Sequence, residues 1–174
     1  MEVDNKHTCF ILDTNAILRG SILNFGQSKP IYTVSSSLHE LKDSVKSFAV
    51  DALAQSGRLK VVDVDQRVKK LARTLARRSR DIRKLSDVDI ELIALALYLR
   101  DKGEVPLFLT SDYAIQNVLA MAKIDFRAIG QRNIKNVVIW NYKCPICGKV
   151  YDMVDKCPVC GTKLIKIAAK VQEL

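Results

Sequence analysis

The sequence predicts an α/β protein with a central parallel sheet flanked by helices, followed by a small four-cysteine module. Short β-branched and apolar runs alternate with longer helical segments over the first 130 residues. That alternation is typical of parallel strands joined by crossover helices. Four of the five cysteines lie close together near the end of the chain. With 174 residues, 48% of them hydrophobic, the chain can form one domain of ordinary size and a small appendage.

Five apolar runs predict the strands of the sheet, and the segments between them predict its helices. The strands are expected at 7–12, 31–34, 58–64, 105–110 and 124–129. Helices are expected from 35 to Gly57, in a basic segment within 67–84, from 83 to near Gly103, and from 112 to 123. We divide the chain into a first domain at 1–130, a linker at 131–141 that can pair with either module, and a zinc-ribbon domain at 142–174.

No segment has the pattern of a membrane span or a secretion signal. The most apolar run, IELIALALYL at 90–99, is about half as long as the roughly 20 residues that cross a bilayer. The first residues lack the basic, apolar and small-residue succession of a signal peptide. We therefore expect a cytoplasmic protein.

The net charge of +9 is concentrated in one segment. Residues 67–84 carry nine Lys and Arg residues against one Asp. A segment this basic is expected to attract a polyanion, most commonly nucleic acid, although a solvated helix face is the competing interpretation. The residues expected to contact RNA are Lys69, Lys70, Arg73, Arg77, Arg78 and Arg80, with Lys149 and Lys163 in the cysteine-rich module.

The cysteine-rich segment predicts a metal site. Its pattern is Cys-Pro-x-Cys-Gly used twice, with Cys144 and Cys147 in the first copy and Cys157 and Cys160 in the second. A two-residue gap lets both thiolates of a pair reach one ion, and four cysteines form a closed site of the kind that holds one structural Zn²⁺. Two disulfides, or an iron centre of the rubredoxin type, are the competing interpretations.

Four acidic residues occupy corresponding places along the first domain. Asp13 follows the first strand, Glu40 and Asp89 lie in the first turns of two helices, and Asp112 follows the fourth strand across Ser111. Ligands of open α/β sheets collect beyond the carboxyl ends of the strands, where the helices begin. The four acids are therefore candidates for a single site.

Each acid also has a purely structural interpretation as a helix cap. The caps would be Asp13 and Asp112 themselves, a capping box of Ser37 with Glu40, and a capping box of Ser86 with Asp89. Asp89, however, lies on the apolar face of its helix, where an uncompensated carboxylate is costly. A divalent cation would offset that cost and the repulsion among converging carboxylates, and oxygen ligands suit Mg²⁺ or Mn²⁺.

Four segments resemble the motifs of PIN-domain ribonucleases. They are ILDTNAIL at 11–18, SSSLHELK at 35–42, LSDVDIELIALAL at 85–97 and LTSDYAIQNVLA at 109–120. Together with the four-cysteine ribbon, they make the chain similar to the archaeal NIN-one-binding family of endonucleases. That family trims the 3′ end of precursor small-subunit ribosomal RNA.

The resemblance implies a metal-dependent endoribonuclease. Its catalytic acids would be Asp13, Glu40, Asp89 and Asp112, of which Asp13 and Asp112 would hold Mg²⁺ or Mn²⁺ most directly. Asp87, Asn15 and Ser111 would be accessory residues. The implied partners are precursor small-subunit rRNA and the pre-ribosomal small subunit. A non-catalytic RNA-binding assembly factor and a PIN-type toxin ribonuclease remain as alternatives.

Overall fold

The computed structural model describes residues 6–18, 29–42, 54–55, 57–130 and 132–173. The helix expected between 35 and Gly57 is described at 35–42 and 54–55, and its middle lies outside the described residues. In chain order the elements are β1 (Cys9–Leu12), α1 (Thr14–Leu18), β2 (Ile31–Thr33), α2 (Ser35–Lys42), β3 (Leu59–Val61), α3 (Gln66–Ser79), α4 (Asp87–Asp101), β4 (Pro106–Thr110), α5 (Tyr113–Met121), β5 (Phe126–Ala128), β6 (Asn136–Lys143), β7 (Val150–Tyr151) and β8 (Ile165–Glu173).

The first five strands form one parallel sheet in the order β3-β2-β1-β4-β5. The central pair, β1 and β4, is in register from Cys9 opposite Pro106 to Leu12 opposite Leu109. The chain runs outward from β1 to β3 on one side and from β4 to β5 on the other. The strand order therefore reverses between β1 and β4, and such a reversal opens a crevice at the carboxyl ends of the two strands.

Side chains alternate between the two faces of the parallel sheet along each strand, and both faces are buried. On one face, Cys9 and Ile11 pack with the apolar residues of α3, α4 and α5. On the other face, Phe10 and Leu12 form a second cluster with β2 and β4. Burial raises the pKa of the Cys9 thiol to about 11, so Cys9 is an inert core residue. None of the described helices is both long and apolar enough to cross a bilayer.

The last three strands form a second, antiparallel sheet in the order β7-β6-β8. Strand β6 pairs with β8 from Asn136 opposite Glu173 to Lys143 opposite Ile165, with an irregularity between Ile139 and Trp140. Since β6 begins at Asn136, the second half of the segment expected as a linker, 131–141, is strand. The apolar residues of this segment therefore extend the sheet of the cysteine-rich module.

The two sheets meet at a junction built around buried polar groups. Asn117 of α5 donates from Nδ2 to the Val138 carbonyl at 2.7 Å and accepts the Val138 N–H at 2.8 Å. The same amide group donates to Asp81 Oδ2 at 2.6 Å. Lys166 of β8 lies 3.3 Å from Asp81 Oδ1. Asn117 and Asp81 thus join the last helix of the parallel sheet to the central strand of the second sheet.

We expect Asn117→Ala to lower the free energy of unfolding by about 2 kcal/mol, because it removes the donor to Asp81 Oδ2 and the partner of the Val138 N–H and carbonyl. Urea unfolding monitored by circular dichroism measures the change. Asn133→Ala is the control, since Asn133 is exposed and its side chain accepts the Ala128 N–H at 2.5 Å; we expect it to cost less than about 1 kcal/mol. Equal losses for the two variants would contradict this description of the junction.

Candidate active site and four-cysteine centre

The parallel sheet places Asp13 and Asp112 at the crevice between β1 and β4. Asp13 follows the last residue of β1, and its N–H donates to the Leu109 carbonyl at 3.3 Å. Asp112 follows Thr110, the last residue of β4, across Ser111. The two acids therefore extend from adjacent strand ends at the point where ligands of open α/β sheets bind.

Asp13 is buried, with 4% of its surface exposed. Its Oδ1 accepts the Ala16 N–H at 2.6 Å, and its Oδ2 accepts the Thr110 hydroxyl at 2.5 Å. Burial raises the pKa of Asp13 above its ordinary value, and the nearby Asp89 carboxylate raises it further, against the lowering effect of the hydrogen bonds. Asp13 thus lies where its negative charge is costly and where a cation would offset that cost.

Asp112 is the N-cap of α5, as its structural interpretation predicted. Its Oδ1 accepts the Ala114 N–H at 2.6 Å. Its own N–H donates to the hydroxyl of Thr110 at 3.0 Å, and the same hydroxyl donates to Asp13. Thr110 therefore fixes the spacing of the two acids at the end of β4.

Glu40 lies on α2 and is linked to the chain just after Asp13. Thr14 donates from its hydroxyl to Glu40 Oε2 at 3.0 Å and lies 3.1 Å from the hydroxyl of Ser37. The expected capping box of Ser37 with Glu40 is wrong, because α2 begins two residues earlier, at Ser35. Asp63 caps this helix instead, accepting the Ser35 N–H at 2.9 Å.

Asp89 forms the predicted capping box at the start of α4. Its Oδ2 accepts the N–H and the hydroxyl of Ser86, each at 2.8 Å, and its own N–H donates to that hydroxyl at 3.1 Å. The helix start also brings the Asp89 carboxylate within electrostatic range of Asp13. The cap and the site interpretations of Asp89 are therefore compatible.

The accessory residues divide into two groups. The Ser111 N–H donates to Asp13 and helps to lower its pKa, so Ser111 lies at the site. Asn15 is exposed on α1. Asp87 turns away, since its carboxylate is paired with Arg73 of α3 at 2.8 Å. Asp87 therefore contacts the basic helix α3 and does not point toward the other acids.

The sequence did not single out the hydroxyl groups that hold these acids, nor the acid of α4 that pairs with the basic helix. Thr14 and Thr110 were not among the candidates, and neither was Glu91, whose Oε1 lies 2.6 Å from Lys69 Nζ and whose Oε2 accepts the Ser36 hydroxyl at 2.5 Å. The bonds of Lys69 and Ser36 help to hold the pKa of Glu91 below its ordinary value, against its partial burial. Hydroxyl residues beside acids in the matched motifs were the available signal, but a single sequence does not show which of them touch.

The carboxylates share one edge of the sheet without forming a tight group. Among the described residues, the group of three or more His, Cys, Asp or Glu side chains with closely clustered ligand atoms is the set of four cysteines. Each acid accepts a hydrogen bond from an N–H or O–H donor of the protein. The donor set of carboxylate oxygens around the buried Asp13 nevertheless fits a hard divalent ion such as Mg²⁺ or Mn²⁺.

The four cysteine sulfurs converge at one end of the second sheet, with their Sγ atoms within 4.8 Å of one another. The Cys144 and Cys160 sulfurs are 3.4 Å apart, and those of Cys147 and Cys157 are 3.5 Å apart. The four are free cysteines, so the disulfide alternative does not hold in this structure. Four sulfurs placed about 2.3 Å from a tetrahedral ion have comparable separations, and the cluster therefore fits a single metal ion.

Local contacts shape the four-cysteine centre. The Cys144 N–H donates to the Lys149 carbonyl and the Cys157 N–H to the Thr162 carbonyl, each at 2.8 Å. The hydroxyl of Tyr151 lies 3.4 Å from the sulfur of Cys157, and this contact is the largest of the effects that bring the pKa of Cys157 down to about 6. Thiolates are the form that binds metal. The few residues packed around Cys144 and Cys157 form only a small core.

The basic residues fall into two classes. Lys69 and Arg73 are paired with acids of α4, and Arg80 is held by the Trp140 carbonyl at 2.8 Å and by Asp152 at 2.7 Å. These three belong to contacts within the protein, and Arg80 is a residue of the junction. The residues expected to contact RNA whose side chains are exposed are Lys70, Arg77, Arg78, Lys149 and Lys163.

Comparison with known proteins identifies the family. A family model described as "PIN domain of ribonuclease" matches residues 10–99. Over 143 residues the chain is 32% identical to "Endoribonuclease Nob1" of Methanothermobacter thermautotrophicus, covering 82% of this chain and 81% of that protein. The chain belongs to the PIN-domain ribonuclease family.

Further relatives agree with this family membership. "Endoribonuclease Nob1" of Pyrococcus abyssi is 31% identical, with coverage of 81% of this chain and 84% of that protein. "Ribonuclease VapC1" of Thermoplasma acidophilum is 28% identical, with coverage of 82% and 69%. The predicted PIN-like fold class and the nuclease class are confirmed, and the similarity to the Nob1 proteins extends over most of the chain.

Proposed function

We propose that this PIN-domain protein is a metal-dependent endoribonuclease that processes the 3′ end of precursor small-subunit ribosomal RNA in the cytoplasm, on the pre-ribosomal small subunit. The observation that carries the proposal is the position of Asp13 and Asp112 at the crevice where the strand order reverses. The similarity to two proteins named Endoribonuclease Nob1 supports the choice of reaction over the toxin alternative. We place the nuclease domain at 1–130 and begin the ribbon at the start of β6.

In this proposal the four acids bind the catalytic metal ion at the crevice, two of them most directly. Asp13 and Asp112 hold Mg²⁺ or Mn²⁺, and Glu40 and Asp89 contact the same site directly or through water. The bound ion supplies positive charge that polarises the scissile phosphate and acidifies an attacking water. Thr110 holds Asp13 in place through its 2.5 Å hydrogen bond, and Thr14 orients Glu40. In-line hydrolysis leaves a 5′-phosphate and a 3′-hydroxyl.

We propose that the four-cysteine centre holds one structural Zn²⁺. The support is the closed set of four thiolates, which leaves no ligand position for substrate. The ribbon has too small a core to fold alone. The zinc would therefore stabilise the sheet that carries Lys149 and Lys163.

A cleavage assay tests the proposed function. The full chain is incubated with precursor small-subunit rRNA in Mg²⁺ or Mn²⁺, and the product ends are mapped. The proposal expects a defined cut at the mature 3′ end that depends on the divalent ion. RNA binding without any cut would favour the non-catalytic assembly factor, and efficient cutting of messenger or transfer RNA in preference to the precursor would favour the toxin alternative.

The exposed basic residues of α3 are expected to account for much of the salt dependence of RNA binding. Replacing Lys70, Arg77 and Arg78 with Ala removes three exposed cations from one helix. Each phosphate contact contributes about 0.7 to the slope of log affinity against log salt for single strands, so the slope should fall by about 2. Fluorescence anisotropy at several salt concentrations measures it. Lys102→Ala, at the far end of α4, is the control, and an unchanged slope in the triple variant would contradict the assignment.

A further inference from the structure

A cavity of about 270 Å³ lies at the junction of the two sheets. We call it the junction cavity. Its lining includes Asp81, Lys84, Tyr113, Ala114, Trp140 and Lys166. The residues come from the turn after α3, from the start of α5 and from the second sheet, so the cavity exists only where the nuclease domain and the ribbon meet.

The junction cavity is adjacent to the candidate active site. Tyr113 directly follows Asp112, and the Ala114 N–H donates to Asp112 Oδ1 at 2.6 Å. Both Tyr113 and Ala114 line the cavity. A molecule in the cavity would therefore lie at the first turn of α5, the turn that Asp112 caps.

The lining offers aromatic surface to a flat ligand. Tyr113 exposes 54% of its surface, although it is a large aromatic residue on the first turn of a helix. Trp140 is half-buried in the same cavity, and Lys166 Nζ lies 4.0 Å from the centre of its ring. Aromatic side chains of this kind stack on nucleobases, because every base has a π face.

The lining also offers positive charge to a phosphate. Lys84 and Lys166 face the cavity against a single acid, Asp81, which already accepts from Asn117 and contacts Lys166. Lys84 is close enough to help lower the pKa of Lys166, whose first cause is burial. Two ammonium groups that repel each other are stabilised when an anion lies between them.

The size of the cavity limits what it can hold. At about 270 Å³ it lies just below the range of about 300–1,000 Å³ typical of drug-sized ligands. It accommodates one base and not a stacked segment. A base can enter only when it is unpaired, since bases of an RNA helix are stacked inside it.

We propose that the junction cavity binds one unpaired nucleotide of the RNA strand beside the scissile phosphate, with its base against Tyr113 and Trp140 and its phosphate between Lys84 and Lys166. This inference rests on the proposed function, because it names a substrate contact of the same site. The contact selects single-stranded RNA at the cut without reading a particular base. It also makes the ribbon part of the substrate site, since Trp140 and Lys166 belong to the second sheet.

The single tryptophan of the chain makes the proposal directly measurable. Trp140 is the one Trp in the sequence, so the intrinsic tryptophan fluorescence reports on the cavity itself. The zinc-loaded full chain carrying Asp13→Asn is titrated with a short oligouridylate, and separately with a duplex RNA of similar length. We expect the single strand to change the emission of Trp140 and the duplex to leave it unchanged.

Variants of the lining supply the second readout. Tyr113→Ala should weaken oligouridylate binding about tenfold, within the range measured for loss of one base-stacking residue. Lys84→Ala removes a phosphate contact and should lower the slope of log affinity against log salt by about 0.7. Tyr113→Phe, which keeps the ring, should recover most of the loss caused by Tyr113→Ala. Lys170→Ala is the matched control, because Lys170 is an exposed lysine on the same strand as Lys166 but lines a different cavity; it should bind as the parent does.

The outcomes separate this inference from the proposed function. In one outcome the wild-type chain cuts the rRNA precursor, Tyr113→Ala and Lys84→Ala cut it with unchanged KM, and oligouridylate does not change the emission of Trp140. The junction cavity is then not a nucleotide site, and the nuclease proposal stands. If the wild-type chain cuts no RNA but oligouridylate changes Trp140 emission and Tyr113→Ala abolishes that change, the cavity binds a nucleotide and the nuclease proposal fails.

Discussion

Asp13→Asn is expected to reduce metal-dependent RNA cleavage by a factor of about 100 or more while leaving the fold intact. Asparagine has nearly the shape of aspartate and retains one oxygen that can accept the Ala16 N–H, which now lies 2.6 Å from Asp13 Oδ1. It removes the negative charge that would hold the divalent ion. Such an ion contributes several kcal/mol to the stabilisation of a phosphoryl transition state, and each 1.36 kcal/mol is a factor of ten in rate.

The measurement compares single-turnover cleavage rates of precursor rRNA at saturating Mn²⁺. Asp101→Asn is the matched control, because Asp101 is an exposed aspartate at the opposite end of α4 and contacts only Arg100 among the described side chains. It should cut like the wild type, and both variants should bind RNA with unchanged affinity. Cleavage by Asp13→Asn at a rate near that of the wild type would remove Asp13 from the site.

Removal of metal from the four-cysteine centre is expected to unfold the ribbon and spare the parallel sheet. In zinc-finger peptides the bound ion supplies about 10–16 kcal/mol, and the turns that carry the four cysteines have few other apolar contacts. Its buried cluster consists of Cys144, Cys157 and Leu164 with a few half-buried neighbours. A strong chelator, or Cys157→Ser, should therefore release the chain on both sides of β7.

Amide hydrogen exchange and metal analysis together measure this effect. The reporters are the Cys144 and Cys157 amides, whose carbonyl partners are 2.8 Å away in the intact turns. They should lose protection, while amides of β1 and β4 keep theirs. Asp13→Asn serves as the control and should retain one zinc per chain. Iron in place of zinc would support the rubredoxin-type alternative, and full protection in a metal-free chain would contradict a structural metal.

Much of the fold followed from the sequence because the signals were local. Alternating apolar runs gave the five parallel strands within a few residues, and the starts of α4 and α5 had visible capping residues, Ser86 and Asp112. The spacing of the four cysteines predicted their cluster, since two close pairs can reach one ion. The cap of α2 was wrongly assigned to Ser37, because Asp63, which accepts the Ser35 N–H, lies 28 residues further along the chain and is not visible in the local pattern.

The missing parts of the site depend on contacts between distant segments. Arg80 was expected only as an RNA contact, and its partners Trp140 and Asp152 lie in the cysteine-rich module, far along the chain. The same holds for Thr14 with Glu40 and for Lys69 with Glu91, which only the folded chain brings together. Charge and spacing identified the acids, and tertiary packing decides which groups hold them.

The most direct test of the account is anomalous diffraction from crystals of the full chain soaked in Mn²⁺. We expect a manganese peak at the carboxyl ends of β1 and β4, about 2.1 Å from an oxygen of Asp13 and from an oxygen of Asp112, with Glu40 and Asp89 in the same coordination shell or one water away. The crystals are grown from protein that cleaves RNA and are saturated with Mn²⁺. A manganese peak that is absent from that edge of the sheet, or that lies among other residues, would contradict the assignment of the four acids.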